Sequence, residues 1–245
     1  MDMRIATAVL AASLAACGGI ASDTAEDADI QGGKKDTGHP AVGLVWISTG
    51  GFCTGTLIAP QVVLTAAHCV ADRVSVFYTG TGTASTNVAQ PTDLVAHAVD
   101  KQAQYPSYKG GTCPNATGDV GLIHLAAPIA GIAPLALASA APAAGATCTA
   151  VGYGTHNTSS SVETYGQKRL ATEKVKSSSG QYVTVDKGTG IADHGDSGGP
   201  LLCGNAIAGA TSCHVDGNYP AHSEEFYARV DAFRPWIQQT LASWM

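Results

Sequence analysis

Residues 195–200 read GDSGGP, and this short stretch determines more about the chain than any other segment. Glycine on both sides lets the backbone turn tightly around Ser197. The backbone N–H groups of Gly195 and Ser197 can then converge on one point and stabilise a developing oxyanion. A glycine-rich hairpin with an incidental serine would contain the same residues, so the stretch needs partners elsewhere in the sequence.

Two further motifs offer what a serine nucleophile needs, which is a base and a group that orients the base. Residues 65–69 read TAAHC and place His68 at the end of an apolar run, whereas residues 119–125 read DVGLIHL and begin with Asp119. Taken singly, such a histidine is more often structural, and an aspartate before a strand is usually a turn residue. The chain order His, Asp, Ser differs from the triad orders of subtilisins and α/β-hydrolases.

Together the three motifs resemble those of the trypsin/chymotrypsin family, which has T-A-A-H-C, D-[IV]-A-L-[IL]-x-L and G-D-S-G-G-P in this order. Further matching strings spread over residues 30–245: FCTGTLI at 52–58, CTAVGYG at 148–154, FYARV at 226–230 and the pair Trp236-Ile237. The resemblance implies an all-β fold of two six-stranded antiparallel β-barrels with a C-terminal helix and an active site between the barrels.

The pattern of the chain also favours an all-β fold. Only 13% of the residues are charged and 29 are glycine, which is typical of short strands joined by many turns. The predicted strands are Ala41–Ser48, Phe52–Ala59, Arg73–Thr79, Asp93–Val99, Val120–Leu125, Thr147–Tyr153, Gln181–Val185, Pro200–Cys203, Ala206–Ser212 and Glu225–Val230. Apolar residues at helical spacing predict one amphipathic helix over Val230–Trp244.

The N-terminus predicts export. Residues 5–16 are an apolar run too short to span a bilayer, so residues 1–17 are predicted to be a signal peptide. The run ends in LAAC, which resembles a bacterial lipobox and makes Cys17 a candidate for lipidation; an ordinary signal sequence with a chance cysteine is the alternative. Residues 18–29 are small and acidic and are predicted to form a pro-segment or tether.

The peptidase domain is predicted to span residues 30–245. Within it, barrel 1 is expected at about 30–130, barrel 2 at about 131–230 and the C-terminal helix at about 231–243. The Ala- and Pro-rich residues 126–146 are interpreted as the crossover between the barrels.

The family resemblance implies a role for each motif, and therefore a serine endopeptidase. Ser197 attacks the scissile carbonyl, His68 takes the serine proton, and Asp119 fixes the orientation of the imidazole. The N–H groups of Gly195 and Ser197 form the oxyanion hole. The alternative is a catalytically inactive family member that serves as a binding module.

Activation by cleavage is a second implication of the resemblance. Family members begin with I-V-G-G after processing, and residues 30–33 here read IQGG. Cutting the Asp29–Ile30 bond would free the amino group of Ile30, which is expected to form an ion pair with Asp196. The alternative is that Ile30 merely opens a strand.

The specificity pocket departs from the family pattern. Its predicted residues are Ile191, Ala192, His194, Ser212, His214 and Glu225. Ile191 stands where trypsin has its aspartate, and Asp193 stands where the family has a cysteine that braces the pocket. The residue before the cut is predicted to be basic because of Glu225, small because Ile191 and Glu225 fill the pocket, or acidic because of His194 and His214, in that order. The acidic option is placed last because relatives that cut after Glu carry their histidine at the position of Thr211.

Seven cysteines are present, and six remain when Cys17 is set aside. An even number can pair completely in an oxidising compartment, although six cysteines allow 15 connectivities. The resemblance implies Cys53–Cys69 and Cys148–Cys203. It leaves Cys113, before Asp119, and Cys213, which replaces a family tryptophan; we predict that these two pair across the barrels, with two free thiols as the alternative.

No cofactor or metal is expected. None of the eight histidines forms H-E-x-x-H, and the acidic pair of the family's calcium loop is missing between His68 and Asp119. The net charge of −6 argues against a nucleic acid partner. The expected partners are protein or peptide substrates, with a possible membrane tether through Cys17. The protein is expected to be a monomer, and either a periplasmic or outer-membrane lipoprotein or an extracellular protein.

Overall fold

The computed structural model describes residues 30, 33–87, 90–156, 164–214 and 224–244. A 3₁₀ turn lies at His68–Val70, and the chain ends in helix α1 (Val230–Trp244). The strands in chain order are β1 (Lys34–Lys35), β2 (Val42–Ile47), β3 (Phe52–Ala59), β4 (Val62–Thr65), β5 (Val74–Thr79), β6 (Val95–Gln104), β7 (Gly121–Leu125), β8 (Ala136–Leu137), β9 (Thr147–Gly152), β10 (Arg169–Ser179), β11 (Tyr182–Lys187), β12 (Pro200–Cys203), β13 (Ala206–His214) and β14 (Glu224–Arg229).

Strands β2 to β7 form barrel 1, which closes in the antiparallel order β2-β3-β4-β7-β6-β5. Its interior is filled by fully buried side chains such as Leu57, Val63 and Phe77. Gly43 permits this packing, because a Cβ there would collide with the Phe77 ring and the Tyr78 carbonyl. Apolar burial of this kind supplies the main stabilisation of the barrel.

Strands β9 to β14 form barrel 2. Strand β9 pairs with both β10 and β12, so the ring β9-β10-β11-β14-β13-β12 is closed. The short strands β1 and β8 attach to the outside of this ring, on β10 and β13. The prediction of two six-stranded antiparallel barrels with a C-terminal helix is confirmed.

Several elements differ from the predicted ones. Strand β10 was not predicted, because its buried face alternates Arg169, Ala171, Glu173 and Val175, and only two of these are apolar. The short strand β4 was not predicted either, although all four of its residues are buried. Residues 30–35 were expected in barrel 1, but Lys34 pairs with Leu170 of barrel 2.

Helix α1 contacts both barrels. Val230, Phe233 and Ile237 are its buried residues. Tyr105, directly after β6, lies with its ring centroid 4.9 Å from that of Phe233 and 5.4 Å from that of Trp236, edge to face in both cases. These aromatic contacts therefore connect the end of β6, in barrel 1, to the helix that follows barrel 2. The described part of the chain contains no helix with the length and apolar character that crossing a bilayer requires.

Three disulfides lie in the part of the chain that the structure describes. Cys53–Cys69 lies in barrel 1 and Cys148–Cys203 in barrel 2, with Cα atoms 6.2 and 4.5 Å apart. Cys113–Cys213 joins the loop before Asp119 to strand β13, with its Cα atoms 5.9 Å apart, and so connects the two barrels. Disulfides at this density are typical of proteins that fold in an oxidising compartment.

Candidate active site

His68 and Asp119 meet at one end of barrel 1. His68 lies in the 3₁₀ turn after β4, and Asp119 lies just before β7, the strand that pairs with β4. Asp119 Oδ1 accepts a hydrogen bond from the His68 backbone N at 2.9 Å, and its Oδ2 lies 2.9 Å from His68 Nδ1. Both carboxylate oxygens therefore hold the same histidine, one by its backbone and one by its ring.

Barrel 2 also contributes to Asp119. The hydroxyl of Ser212, on β13, donates to Asp119 Oδ2 at 2.6 Å. Burial alone would raise the pKa of Asp119, but the hydrogen bond and charge of His68, together with the Ser212 hydroxyl, hold it below its usual value. An ionised carboxylate is what an imidazole needs if it is to become an imidazolium during a reaction.

Ser197 lies in a tight turn at the junction of the barrels. Its carbonyl accepts from Thr54 N at 2.9 Å and lies 3.6 Å from Sγ of Cys69, the residue after His68. Gly198 has φ of 79°, and a Cβ there would collide with Thr65 Oγ1, the Ala66 N and the Thr54 carbonyl. Both the backbone conformation and the available space therefore require glycine after Ser197.

Gly195 shapes the other side of the same turn. Its φ is 93°, and a Cβ at this position would collide with the Phe52 ring. Phe52 and Tyr165 have ring centroids 5.6 Å apart and line, with Trp46, a cavity of about 510 Å³ on this side of the turn. The backbone at Gly195 therefore packs directly against Phe52, which lines a cleft between the barrels.

Asp196 is buried beneath the turn. Its carboxylate accepts hydrogen bonds from Gly154 N at 2.8 Å and Asp193 N at 2.9 Å. Burial raises the pKa of Asp196 to about 7, since two backbone donors compensate only part of its lost hydration. Ile30 has its side chain in the core of barrel 2, in one cluster with Ala192. Asp29, Gln31 and Gly32 lie outside the described residues, as does Cys17.

A second cavity, of about 310 Å³, contains Ser197 in its wall. The remaining lining residues are Gly111, Thr112, Cys113, Asp193, His194, Thr211, Ser212, Cys213, His214 and Glu225. Four predicted pocket residues, His194, Ser212, His214 and Glu225, are therefore brought together. The other two predicted pocket residues, Ile191 and Ala192, are fully buried and do not line this cavity.

Glu173 is a residue that the sequence analysis missed. It is fully buried on β10, where Oε2 accepts from the Tyr227 hydroxyl at 2.7 Å and Oε1 accepts from Ala192 N at 3.1 Å. Burial raises its pKa to about 8. Glu173 thus holds the segment that leads into the Ser197 turn. In the sequence, only Ala171 and Val175 on the same face of β10 indicated a strand at this position.

Comparison with known protein families identifies the fold and the class of enzyme. The family model described as Trypsin matches residues 30–237. The chain belongs to the trypsin family of serine endopeptidases. It is 30% identical to trypsin of Sus scrofa, covering 90% of this chain and 99% of that protein. It is 31% identical to serine protease 1 of Rattus norvegicus, covering 89% and 92%.

A solved structure gives the same fold for this trypsin-family chain. Neuropsin, a serine protease expressed in the limbic system of mouse brain, matches with a TM-score of 0.71 at 23% identity. The match covers 85% of this chain and 98% of neuropsin, which includes both barrels.

Proposed function

We propose that this trypsin-family protein is an exported serine endopeptidase that acts through the triad His68, Asp119 and Ser197. The observation that carries the proposal is that both carboxylate oxygens of Asp119 bond to His68. Oδ1 lies 2.9 Å from the backbone N and Oδ2 lies 2.9 Å from Nδ1 of the ring. A histidine–aspartate pair with only a structural role would not need to lie next to Ser197, whose glycine-rich turn lines a cavity.

The proposed reaction follows from which ring nitrogen is engaged. Because Nδ1 of His68 faces Asp119, Nε2 is the atom that takes the proton of the Ser197 hydroxyl. Ser197 Oγ then bonds to the scissile carbonyl carbon, while the N–H groups of Gly195 and Ser197 stabilise the oxyanion. His68 returns the proton to the leaving amine as the C–N bond breaks. Water, activated by the same histidine, then hydrolyses the acyl-enzyme.

Activation by cleavage of the Asp29–Ile30 bond is the second part of the proposal. The new amino group of Ile30 would form an ion pair with Asp196 and so order the Gly195 turn. Support comes from the buried carboxylate with its pKa near 7, which a cation would stabilise in its ionised form. The Ile30 side chain is already packed in barrel 2.

The N-terminal assignments belong to the same proposal. Residues 1–17 would be a signal peptide of a bacterial lipoprotein, lipidated at Cys17, and residues 18–29 a pro-segment or tether. Incorporation of labelled palmitate that disappears in Cys17→Ser would support the lipid anchor. Absence of label from the wild-type protein would contradict it.

Labelling of Ser197 by a fluorophosphonate tests the enzymatic proposal. Protein cut after Asp29 should be labelled, whereas the Ser197→Ala and His68→Ala variants should not be. The uncut precursor and the cut Asp196→Asn variant should label at least about 100-fold more slowly, because the oxyanion hole is not ordered. No labelling of the cut wild-type protein would favour the inactive binding module, and equal labelling of both forms would refute activation by cleavage.

A further inference from the structure

The loop between β6 and β7 belongs to barrel 1 but is held by barrel 2. Five of the seven residues at 110–116 are exposed, and the two buried ones are Cys113 and Ala116. Cys113 is bonded to Cys213 of β13, and the Ala116 carbonyl accepts a hydrogen bond from the Tyr182 hydroxyl of β11. A loop that buries so little of itself depends on such anchors for a defined position.

Ser212 lies at an irregularity of β13. In the pairing of β13 with β14, Thr211 and Cys213 are opposite consecutive residues, so Ser212 between them has no paired residue and forms a β-bulge. A bulge redirects a side chain, and here the Ser212 hydroxyl donates to Asp119 Oδ2 at 2.6 Å. Because the strand pairing is interrupted at Ser212, the position of this residue depends on what holds its neighbours.

The disulfide closes a small ring that contains this hydrogen bond. The ring runs from Cys113 along the chain to Asp119, through the Ser212 hydroxyl to Cys213, and back to Cys113 across the sulfur–sulfur bond. Ser212 Oγ also lies 3.5 Å from Cys213 Sγ. A covalent bond in so small a ring restricts how far Ser212 and Asp119 can separate.

The turn between β10 and β11 holds the end of the loop that is nearest to Asp119. Gly118 N donates to Gln181 Oε1 at 2.6 Å. The ring of Tyr182, the next residue, packs edge to face against Phe226 with the centroids 5.6 Å apart. These contacts fix the backbone before Asp119, whereas the disulfide ties the loop to the strand that carries Ser212.

We infer that the disulfide Cys113–Cys213 is a positioning element of the active site, which keeps the Ser212 hydroxyl bonded to Asp119. Asp119 in turn orients His68 for proton transfer. The inference rests on the proposed endopeptidase function and adds to it a covalent link on which the rate of the triad depends. A bridge with only a stabilising role would leave the reaction rate of the folded enzyme unchanged.

Acylation of Ser197 by p-nitrophenyl acetate tests this role without any peptide side chain. The chain with residues 25–29 replaced by DDDDK is cut by enteropeptidase, so that the enzyme begins at Ile30. The p-nitrophenol burst at several ester concentrations gives the acylation rate and the dissociation constant of the ester separately. In Cys113→Ser/Cys213→Ser the rate should fall about 10-fold, because a hydrogen bond to a charged group is lost, while the dissociation constant stays within about 3-fold.

Cys148→Ser/Cys203→Ser is the matched control. It removes a disulfide within barrel 2 that is not part of the ring around the Ser212 hydrogen bond. Its acylation rate should stay within about 3-fold of that of the wild type, since a lost constraint on the unfolded chain changes stability and not the folded site. Circular dichroism at the assay temperature confirms that each variant is folded.

A double-mutant cycle with Ser212→Ala shows whether the disulfide acts through Ser212. Ser212→Ala alone should also slow acylation about 10-fold. Since both changes remove the same hydrogen bond, Cys113→Ser/Cys213→Ser in the Ser212→Ala background should slow it by no more than about 3-fold further. An additive loss of about 100-fold would place the effect of the disulfide elsewhere and would overturn the inference.

Reduction of the wild-type enzyme gives the same test if Cys113→Ser/Cys213→Ser does not fold. Dithiothreitol converts the disulfide into two thiols and is itself oxidised to a cyclic disulfide. Aliquots alkylated with iodoacetamide and mapped as peptides identify the reduced cysteines, and the rate of fluorophosphonate labelling at Ser197 is measured in parallel without alkylation. Labelling should slow about 10-fold as Cys113 and Cys213 become alkylatable.

The two possible failures have different outcomes. An unchanged rate at Ser197 in the folded variant or in the reduced enzyme overturns the inference and leaves the endopeptidase proposal intact. Cut wild-type protein that reacts with neither the ester nor the fluorophosphonate overturns the proposed function itself.

Discussion

In barrel 1 the buried carboxylate of Asp119 has a lowered pKa, whereas in barrel 2 the buried carboxylates of Glu173, Asp196 and Glu225 all have raised pKa values. Burial removes hydration in all four cases and by itself favours the protonated acid. Asp119 differs because it accepts three hydrogen bonds, two from His68 and one from Ser212, and because the charge of His68 also lowers its pKa. Asp196 and Glu173 each accept two. All four carboxylates are almost fully buried, so their pKa values differ because their partners differ and not because one is more deeply buried.

This contrast agrees with the proposed activation by cleavage, in which the two halves of the site would reach completion at different stages. The half in barrel 1 has an ionised, fully bonded carboxylate in the uncut chain. In barrel 2, burial raises the pKa of Asp196 to about 7, although two backbone N–H groups donate to its carboxylate. In the proposed activation, cleavage before Ile30 would place a positive charge beside this carboxylate.

The largest effect is expected from removing the carboxylate of Asp119, in the barrel 1 half of the site. Asp119→Asn should lower kcat by about 10⁴, because the amide cannot hold His68 in the tautomer that accepts the serine proton; the size of this loss is carried over from the family's established triad. Asp100→Asn is the matched control, since Asp100 forms another histidine–aspartate pair of this barrel, 2.6 Å from His124. Steady-state kinetics on the cut enzyme measure both. An equal loss in the two variants would show that Asp119 has no special role.

A smaller effect is expected from removing the disulfide Cys113–Cys213, which joins the two barrels. Cys113→Ser/Cys213→Ser should lower the free energy of unfolding by about 3–4 kcal/mol, because the bond constrains a sequence separation of 100 residues. Cys148→Ser/Cys203→Ser, with a separation of 55 residues inside barrel 2, should cost about 0.5 kcal/mol less by the same chain-entropy argument. Denaturant unfolding checks both values. Alkylation of Cys113 and Cys213 in the native protein would show instead that the two thiols are free.

The smallest effect concerns the pH dependence of stability. In the uncut folded protein Asp196 should keep its proton up to about pH 7, whereas in the unfolded chain it loses the proton near about pH 4. The contribution of Asp196 to stability therefore declines between these pH values and is lost as the pH rises through about 7. Relative to Asp196→Asn, the wild-type precursor should therefore lose about 1–3 kcal/mol between pH 5 and pH 8. Thermal unfolding across this range measures the difference.

The cut protein supplies the control for this measurement. With the Ile30 amino group beside it, Asp196 should be ionised when folded, and the decline relative to Asp196→Asn should disappear. Asp119 does not interfere, because its lowered pKa confines its contribution to changes below about pH 4. A decline of the same size in cut and uncut protein would contradict the proposed ion pair.

Local sequence patterns determined much of this molecule. The strands with alternating or continuous apolar residues, such as β3 and β12, were predicted with their observed ends, and so was helix α1. The residues His68, Asp119 and Ser197 were identifiable from motifs, since glycines and small residues are needed wherever the backbone of the two barrels approaches closely.

Only the tertiary structure decided what surrounds the cavity. Strand β10 and its Glu173 were missed because a buried acid looks polar in sequence, and its partners, Tyr227 and Ala192 N, come from distant segments. The same holds for Ile191, which is fully buried and does not line the cavity, and for Glu225, which lines the cavity although it is almost fully buried. Sequence fixes which groups are present, but exposure and pKa depend on neighbours that come together only when both barrels have closed.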